Sequence, residues 1–253
     1  MTAVLTADAV TKQFPKGDTA TVALRELSVS IEEGSFVSVL GRSGCGKSTL
    51  LNMLAGLTSP TAGEIRYRDR RLGGPDTNIG YLTQHDTLMP WRDVRRNVEM
   101  PLEIRGVSAK QRRPVAEDLI RRVGLQGFEK HYPRELSGGM RRRASLARML
   151  AGEPETLLMD EPFGALDAQL RTELQEELLR LWQGSGQTVV FVTHDIEEAL
   201  TLGDRVVVLG KIGRVLLDRP ITLARPRSAD DLRIDPDFVA LHRELSAALK
   251  EGQ

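Results

Sequence analysis

Three short apolar runs in the chain each end at polar residues. FVSVL (36–40) leads into a glycine-rich segment, LLMD (157–160) leads into Glu161, and VVFVT (189–193) leads into His194. Uninterrupted apolar runs of this length are typical of strands that are buried on both faces of a mostly parallel sheet, whose ligands bind beyond the carboxyl ends of the strands. The pattern therefore predicts an α/β fold in which these three strand ends share one rim.

Other regions have different patterns. Alternation of apolar and polar residues in TVALRELSVSIEEG (21–34) and GEIRYRDRRL (63–72) predicts an N-terminal antiparallel β subdomain. From about residue 86 to 150, amphipathic helix-like segments interrupted by prolines predict an inserted α-helical subdomain. From about 216 to 253, a Pro- and Arg-rich tail ends in a short amphipathic helix. We expect residues 1–253 to form a single domain with a mostly parallel core sheet.

Charge balance and cysteine content narrow the function classes. The 35 basic and 35 acidic side chains give a net charge of zero, which argues against a protein that coats nucleic acid or an anionic membrane. The single cysteine, Cys45, cannot form an internal disulfide, and no Cys/His spacing typical of zinc sites occurs. The N-terminal residues lack a signal-peptide pattern, and no segment approaches the ~18 to 20 apolar residues that span a bilayer. We therefore expect a cytoplasmic protein that reaches a membrane only through a partner.

The glycine-rich segment GRSGCGKST (41–49) matches the pattern G-x-x-x-x-G-K-[ST] of phosphate-binding loops. In that pattern the glycines allow backbone N–H groups to face the phosphates, Lys47 reaches the β- and γ-phosphates, and Ser48 offers a hydroxyl to Mg²⁺. A chance glycine-rich turn is the alternative, but the segment follows a predicted buried strand and precedes the helix-like run TLLNMLAGL (49–57). The sequence therefore predicts a site for nucleotide phosphates.

Polar residues after the other predicted strands supply the remaining chemistry of such a site. Asp160 is suited to hold Mg²⁺, and Glu161 is suited to orient the attacking water and accept its proton. Alone, the pair would indicate an ordinary acidic turn, but the phosphate-binding loop favours the catalytic interpretation. We interpret His194 as a γ-phosphate sensor rather than a structural histidine, and Gln84, which follows IGYLT (79–83), as a further contact to Mg²⁺ and the water.

The stretch ELSGGMRRR (135–143) contains a second candidate anion-binding turn. A serine and two glycines at the start of a predicted helix direct free backbone N–H groups and the positive end of the helix dipole towards one point. Arginines in the first turn of a helix oppose its dipole by about 0.3 to 1 kcal/mol when exposed. We therefore predict that Arg141, Arg142 and Arg143 lie on a solvated face, with an acidic or phosphate partner as the alternative.

In this order, and over nearly the whole chain, the motifs resemble those of the nucleotide-binding subunit of ATP-binding cassette (ABC) transporters. The resemblance implies the P-loop NTPase fold of that family and ATP hydrolysis with ATP and Mg²⁺. LSGGM (136–140) resembles the family signature, with Met140 in place of the usual glutamine, and Arg142 also stands where glutamine is usual. The resemblance implies catalytic roles for Glu161, His194, Lys47 and Gln84, and metal binding by Ser48, Gln84 and Asp160.

The same resemblance implies the residues that contact the nucleotide. Phe14 in TKQF stands where an aromatic ring stacks on adenine, and Asp167 ends GALD (164–167), which resembles the D-loop of the family. The remaining nucleotide-binding residues implied are Gly41, Arg42, Ser43, Gly44, Cys45, Gly46, Lys47, Ser48, Thr49, Ser137, Gly138 and Gly139.

Partners are implied in the same way. Two copies of such a subunit pack head to tail around ATP, so that the signature turn of each closes over the γ-phosphate held by the other. The resemblance implies that LMPW (Leu88, Met89, Pro90 and Trp91) lies where a helix of a membrane permease docks, although Leu88 alone is typical of a core residue. It also implies an extracytoplasmic solute-binding protein as an indirect partner, no nucleic acid, and a peripheral location on the cytoplasmic face of the inner membrane.

The motifs LMPW, SGGM, FGALD and THDIEEAL, together with the RPR-containing tail, are most similar to the class that imports nitrate, sulfonates and taurine. Import of a thiamine-precursor pyrimidine or another small solute is the alternative within transport. A soluble ABC ATPase that acts on ribosomes or DNA is the alternative outside it, but such proteins usually carry two cassettes or a long coiled-coil insertion.

Overall fold

The computed structural model describes residues 2–16, 19–85, 87–164, 166–227 and 235–252. The chain forms two compact units. The first contains Met1–Asp76, Leu158–Glu161 and Gly186–Gln253, and the second contains Thr77–Leu157 and Pro162–Ser185.

The chain contains ten strands and seven α-helices among the described residues. The strands are β1 (Ala3–Lys16), β2 (Thr19–Glu32), β3 (Phe36–Gly41), β4 (Ala62–Tyr67), β5 (Arg70–Arg71), β6 (Ile79–Leu82), β7 (Thr156–Asp160), β8 (Thr188–Thr193), β9 (Arg205–Leu209) and β10 (Val215–Pro220). The helices are α1 (Lys47–Leu54), α2 (Val94–Ile104), α3 (Ala109–Arg122), α4 (Gly138–Ala151), α5 (Ala168–Trp182), α6 (Ile196–Leu202) and α7 (Pro236–Glu251), with 3₁₀ turns at Pro133–Glu135 and Lys211–Gly213.

An antiparallel sheet of order β2-β1-β4-β5 lies in the first unit. Along β2, Leu27, Val29 and Ile31 are buried while the residues between them are exposed. This alternation is expected of a sheet that packs one face on a core and leaves the other in water. The predicted N-terminal antiparallel sheet is therefore confirmed.

The core sheet of the first unit is mostly parallel. β3 pairs in parallel with β8 on one side and with β9 on the other, and antiparallel β10 follows β9 at the edge. Every residue of β3 and β8 is buried, as expected for strands covered on both faces. β7 neighbours β8, so the three predicted apolar runs are neighbouring strands and the α/β fold is confirmed.

The second unit is largely helical. Helices α2, α3 and α4 pack against one another, and β6 neighbours β7 at the start of that strand. Val94, Val98 and Leu102 are buried along one face of α2 at the spacing of successive helical turns. Pro101 and Pro114 do not interrupt the helices, because α2 and α3 continue through them. Packing of the apolar face therefore outweighs the one backbone hydrogen bond that each proline removes.

The C-terminal helix α7 packs within the first unit. Phe238, Leu241 and Leu245 join Leu200 and Val208 in one buried cluster. The amphipathic helix expected in the tail is thus present, whereas β10 at the start of the tail was not predicted. Among the described residues, no helix combines the length and the apolar character that a membrane span requires.

Candidate nucleotide-binding and catalytic site

The phosphate-binding loop (residues 41–49) joins β3 to the start of α1. Gly44 and Gly46 have φ angles of 80° and 109°, which side-chain-bearing residues rarely adopt. A Cβ at Gly46 would lie 2.8 Å from the backbone oxygen of Ala23, so only glycine fits there. No side chain caps the first turn of α1, and its N–H groups therefore remain available to an anion.

Lys47 is held inside this loop. Its side chain is only 4% exposed, and its ammonium donates to the carbonyl oxygens of Gly41 at 2.7 Å and Arg42 at 3.0 Å. Its Nζ also lies 3.5 Å from Oε1 of Glu161. A buried ammonium that is fixed by its own loop is a preorganised positive charge, which is what stabilisation of phosphate oxygens requires.

Glu161 stands at the centre of the polar groups on the rim of the sheet. It follows β7 directly with a φ angle of 43°, and its N–H donates to the carbonyl oxygen of Val192 in β8 at 3.0 Å. Its Oε2 lies 3.1 Å from Nδ1 of His194, while Oε1 faces Lys47. A positive φ at glutamate costs of order 1 kcal/mol or more and is typical of functional positions. The predicted gathering of Lys47, Glu161 and His194 on one rim is what the structure contains.

Hard oxygen donors for a cation are present in the first unit. Asp160 is buried at the end of β7, and Ser48 is exposed in the first turn of α1. Carboxylate and hydroxyl oxygens suit Mg²⁺, which keeps several waters and uses substrate phosphates as further ligands. No cluster of three or more His, Cys, Asp or Glu residues suited to a metal occurs within the described part of the chain. The donor set therefore fits a phosphate-dependent Mg²⁺ site rather than an all-protein metal cage.

Cys45 lies in the loop but turns away from its solvent side. The thiol is buried, and a Cβ at Gly41 would lie 2.7 Å from its Sγ. It lines a cavity of about 360 Å³ together with Leu209 and Leu249. Burial raises the pKa of the Cys45 thiol, and the nearby charge of Lys47 opposes that shift only in part.

Phe14 belongs to β1 of the first unit. Its ring is 42% exposed, and the ammonium of Lys12 lies 5.1 Å from the ring centroid. The ring is therefore accessible for stacking with a planar ligand.

The signature turn (residues 136–140) begins α4 in the second unit. The hydroxyl of Ser137 accepts a hydrogen bond from the N–H of Met140 at 3.3 Å, as an N-cap residue does. Ser137 and Gly138 are exposed, whereas Gly139 is buried. A Cβ at Gly139 would lie 2.2 Å from Cδ2 of Leu170, so the glycine allows close packing of this turn on the Leu170 side chain of α5.

Two other predicted nucleotide contacts also lie in the second unit. Asp167 is the N-cap of α5, and its Oδ1 accepts from the N–H of Leu170 at 3.0 Å. Gln84 is exposed just after β6. In GALD, Ala165 lies outside the described residues.

The prediction of a solvated arginine face is wrong for Arg142. Its side chain is 7% exposed and donates to the carbonyl oxygens of Pro162 at 2.7 Å, Thr83 and Gln84. These contacts to backbone carbonyl groups and its low exposure show that the guanidinium is not solvated. The spacing in the sequence indicated this burial. Arg142 is three residues after Gly139 and four residues before Leu146, so all three lie on the same, buried face of α4.

The neighbouring arginines also bind carbonyl groups but are partly exposed. Arg141 donates to Leu136 at the start of its own helix, and Arg143 donates to Val123 and Gly124 at the end of α3. The three consecutive arginines thus connect α4 to several backbone segments outside the helix.

The LMPW segment borders an open groove of about 400 Å³ in the second unit. Leu88 is buried, as expected for a core residue, and Trp91 is 70% exposed. Asn97 fixes the segment, because its Oδ1 accepts from the N–H of Met89 at 2.7 Å and its Nδ2 donates to the Met89 carbonyl at 3.1 Å. Sequence reasoning missed Asn97, which carries no motif. The groove is lined by, among others, Tyr81, Met89, Met100, Ile104, Arg105 and Arg148.

Comparison with known proteins supports these observations. A family model described as ABC transporter matches residues 24–164. The chain is 44% identical over 243 residues to an uncharacterized ABC transporter ATP-binding protein of Methanocaldococcus jannaschii, covering 96% of this chain and 90% of the relative. It is 43% identical over 224 residues to the taurine import ATP-binding protein TauB of Escherichia coli strain K12, covering 87% of this chain and 88% of the relative.

Solved structures agree in fold. One similar structure is the dimeric post-hydrolysis state of the ATP-binding cassette MJ0796, bound to ADP and Pi. Its TM-score to this chain is 0.80 at 34% sequence identity, and the match covers 87% of this chain and 100% of the MJ0796 chain. A second dimeric structure of the same cassette has a TM-score of 0.80 at 35% identity, with the same coverage. The predicted P-loop NTPase fold of the ABC type is confirmed. The chain therefore belongs to the ABC transporter family of ATPases.

Proposed function

We propose that this protein is the ATP-hydrolysing subunit of an importer that takes up a small solute of the nitrate, sulfonate and taurine class. The observation that carries the ATPase mechanism is the position of the Glu161 carboxylate between the ammonium of Lys47 and the imidazole of His194. The similarity to taurine import ATP-binding proteins, at 43% identity over most of both chains, supports the transport role and the class of solute.

Most of the groups that we propose for hydrolysis belong to the first unit. Lys47 and the N–H groups of the phosphate-binding loop bind the β- and γ-phosphates, and the Phe14 ring stacks on the adenine. Glu161 orients the water for in-line attack and accepts its proton, while His194 contacts the γ-phosphate. Ser48 and Asp160 would hold Mg²⁺, which would neutralise phosphate charge when bound, and Gln84 of the second unit is proposed as a further contact to the metal and the water. Each of these assignments is a proposal that rests on the geometry of the rim and on the family motifs.

The second unit completes the site of a neighbouring copy. We assign Ser137, Gly138 and Gly139 to the γ-phosphate bound by the partner, and Asp167 to the contact between copies. Dimeric cassette structures among the similar proteins support this arrangement. Closure of two copies around ATP excludes water from the phosphates and strengthens their electrostatic contacts.

The Glu161→Gln variant tests the ATPase proposal. The amide cannot accept the proton of water, so turnover should fall by about 10²- to 10⁴-fold while MgATP binding remains. Phosphate release and size-exclusion chromatography with MgATP measure turnover and dimer formation. Glu117→Gln, at an exposed carboxylate on α3, is the matched control. Normal turnover of the Glu161→Gln variant, or a variant that stays monomeric at saturating MgATP, contradicts the proposal.

The exposed groove beside LMPW is our proposed docking site for a permease on the cytoplasmic face of the inner membrane. Met89 lines the groove, and Trp91, two residues later in the chain, is exposed; exposed aromatic side chains are the type of anchor that protein interfaces use. Trp91→Ala should greatly reduce the amount of a multi-span permease that co-purifies from detergent-extracted membranes of the host. Val115→Ala removes an exposed apolar side chain from α3 and should leave co-purification intact. Recovery of the wild-type protein with ribosomes or DNA-bound factors alone would overturn the transport role.

A further inference from the structure

Arg142 is the buried member of the arginine run after the signature turn, and its bonds reach outside its own helix. Its Nε donates to the Pro162 carbonyl at 2.7 Å, and its Nη1 donates to the carbonyls of Thr83 and, at 3.5 Å, Gln84. One side chain on α4 therefore holds two segments that are far apart in sequence.

The guanidinium suits this position better than other side chains. It has five N–H donors in a planar fork, so Nε and Nη1 can serve oxygens from different directions at once. Glutamine, which is usual here in the similar family, has two N–H donors on a single nitrogen and a shorter reach. Methionine has no donor and would leave the buried carbonyl groups without these bonds.

Both segments that Arg142 holds are directly attached to proposed catalytic residues. Thr83 and Gln84 form the start of the segment after β6, and Gln84 is a proposed contact to the metal and the water. Pro162 follows Glu161, the proposed base, in the chain. Arg142 itself lies five residues after Ser137, which is the N-cap of the helix that begins at the signature turn.

We infer that Arg142 is a positioning residue that couples the signature turn to the catalytic segments of the same chain. This inference rests on the proposed function, in which the signature turn binds the partner's ATP while Gln84 and Glu161 act on the chain's own ATP. When the partner's ATP is bound, α4 moves, and the Arg142 guanidinium moves Gln84 and Pro162 with it. Each ATP then influences hydrolysis of the other through one buried side chain.

Arg143 provides a matched control within the same helix. It is also an arginine whose side chain donates to two carbonyl groups, but these belong to Val123 and Gly124 at the end of α3 rather than to the catalytic segments. Arg143→Met removes the same chemistry next to Arg142 and leaves the bonds to Thr83, Gln84 and Pro162 in place.

The test compares kcat, ATP affinity and dimer formation in Arg142→Met, Arg142→Lys and Arg143→Met. Misplaced catalytic groups should lower kcat of Arg142→Met by about 10- to 100-fold. The Kd of the monomer for MgATP should remain within about twofold, and the dimer trapped by Glu161→Gln should still form when Arg142→Met is added. Arg142→Lys, which keeps a cation with N–H donors, should retain more activity than Arg142→Met, and Arg143→Met should retain nearly all. Wild-type kcat in Arg142→Met, or an equal loss in Arg143→Met, overturns the inference.

Mixed dimers test whether Arg142 serves both ATP sites, while unchanged MgATP affinity and dimer formation exclude a loss of folding. In one dimer, Arg142→Met and Glu161→Gln are on different chains, so hydrolysis uses the Glu161 beside the altered arginine. In the other, both changes are on one chain, so hydrolysis uses the unaltered chain and the signature turn of the altered one. Slow turnover in both supports coupling, because Arg142 serves both sides. Normal turnover in either dimer overturns it, whereas absence of ATP-dependent dimers in the wild type would instead contradict the proposed function.

Discussion

The two turns that begin α1 and α4 are both rich in glycine and serine, but they are built for different tasks. The turn before α1 has no side-chain cap, takes its shape from glycines in the left-handed region, and contains the buried ammonium of Lys47. The turn before α4 uses the Ser137 hydroxyl to cap its own helix and leaves Ser137 and Gly138 exposed. The first turn has the features of an anion site within one chain, whereas we propose that the second binds an anion held by another chain.

Buried arginines give a second contrast between the units. In the second unit Arg142 holds segments that adjoin proposed catalytic residues. In the first unit Arg227 is 6% exposed and donates to the carbonyls of Leu200, Gly203 and Leu223. Leu200 and Gly203 are at the end of α6, where a cation is favourable to the helix dipole. The same chemistry therefore positions a site in one unit and attaches the C-terminal tail in the other.

Among these predictions, the largest difference in stability and in MgATP affinity should be between alanine substitutions in the two turns. Gly46→Ala combines an unfavourable φ with a contact at 2.8 Å to the Ala23 carbonyl, so the loop must change shape. Overpacking and strain together should cost about 2 to 4 kcal/mol of unfolding free energy, and MgATP affinity should fall by more than about tenfold. Gly138→Ala places its Cβ 3.9 Å from the nearest atom and should leave monomer stability and ATP affinity nearly unchanged. Thermal unfolding and calorimetric titration with MgATP measure both.

Gly44→Ala refines that comparison within the loop. Its φ of 80° is also left-handed, but nothing lies within 4 Å of the added Cβ. Backbone strain alone should therefore lower the unfolding free energy of Gly44→Ala, by about 1 to 2 kcal/mol. Equal losses in Gly44→Ala and Gly46→Ala would show that crowding by the Ala23 carbonyl does not shape the loop.

Replacement of Arg227 should affect stability rather than catalysis. Arg227→Met leaves three carbonyl oxygens without its bonds and should lower the unfolding free energy by about 2 to 4 kcal/mol. Arg243→Met, at an exposed position on α7, should change it by less than about 0.5 kcal/mol. The kcat of folded Arg227→Met should stay within about twofold of wild type, in contrast to Arg142→Met. A large loss of kcat in the folded variant would remove the distinction between the two arginines.

The pKa of Arg227 determines how that loss varies with pH. Burial, together with the charge of Arg225, lowers the pKa of Arg227 to about 10, and Asp204 opposes the shift. Because the folded value lies below the unfolded one, protons leave the folded state first as the pH rises above about 10. Below that range Arg227 is charged in both states. The difference in stability between wild type and Arg227→Met should therefore be constant between about pH 6 and pH 9 in denaturant titrations.

The gathering of Lys47, Glu161 and His194 could be predicted from the sequence, whereas side chains that bind backbone groups could not. Lys47, Glu161 and His194 follow apolar strands, and parallel pairing necessarily brings such strand ends together. Arg142 and Asn97 bind carbonyl and N–H groups that become neighbours only after folding. A charged residue was therefore assigned to solvent from its type, although its spacing along α4 indicated burial.

Substitution of Cys45 should have the smallest effect, despite its position in the phosphate-binding loop. Its Sγ packs towards Gly41, so Cys45→Ala should retain ATP affinity and kcat within about twofold. Because the thiol is buried and its pKa is raised, a maleimide should modify native protein at least about tenfold more slowly than unfolded protein, and faster as the pH rises. The bulky adduct should block ATP binding, and bound MgATP should slow its formation. Cys45 is the single cysteine, so Cys45→Ala is the blank for labelling. Rapid labelling of the native protein would contradict the burial of the thiol. Full activity of the adduct would contradict the position of Cys45 in a loop that binds ATP.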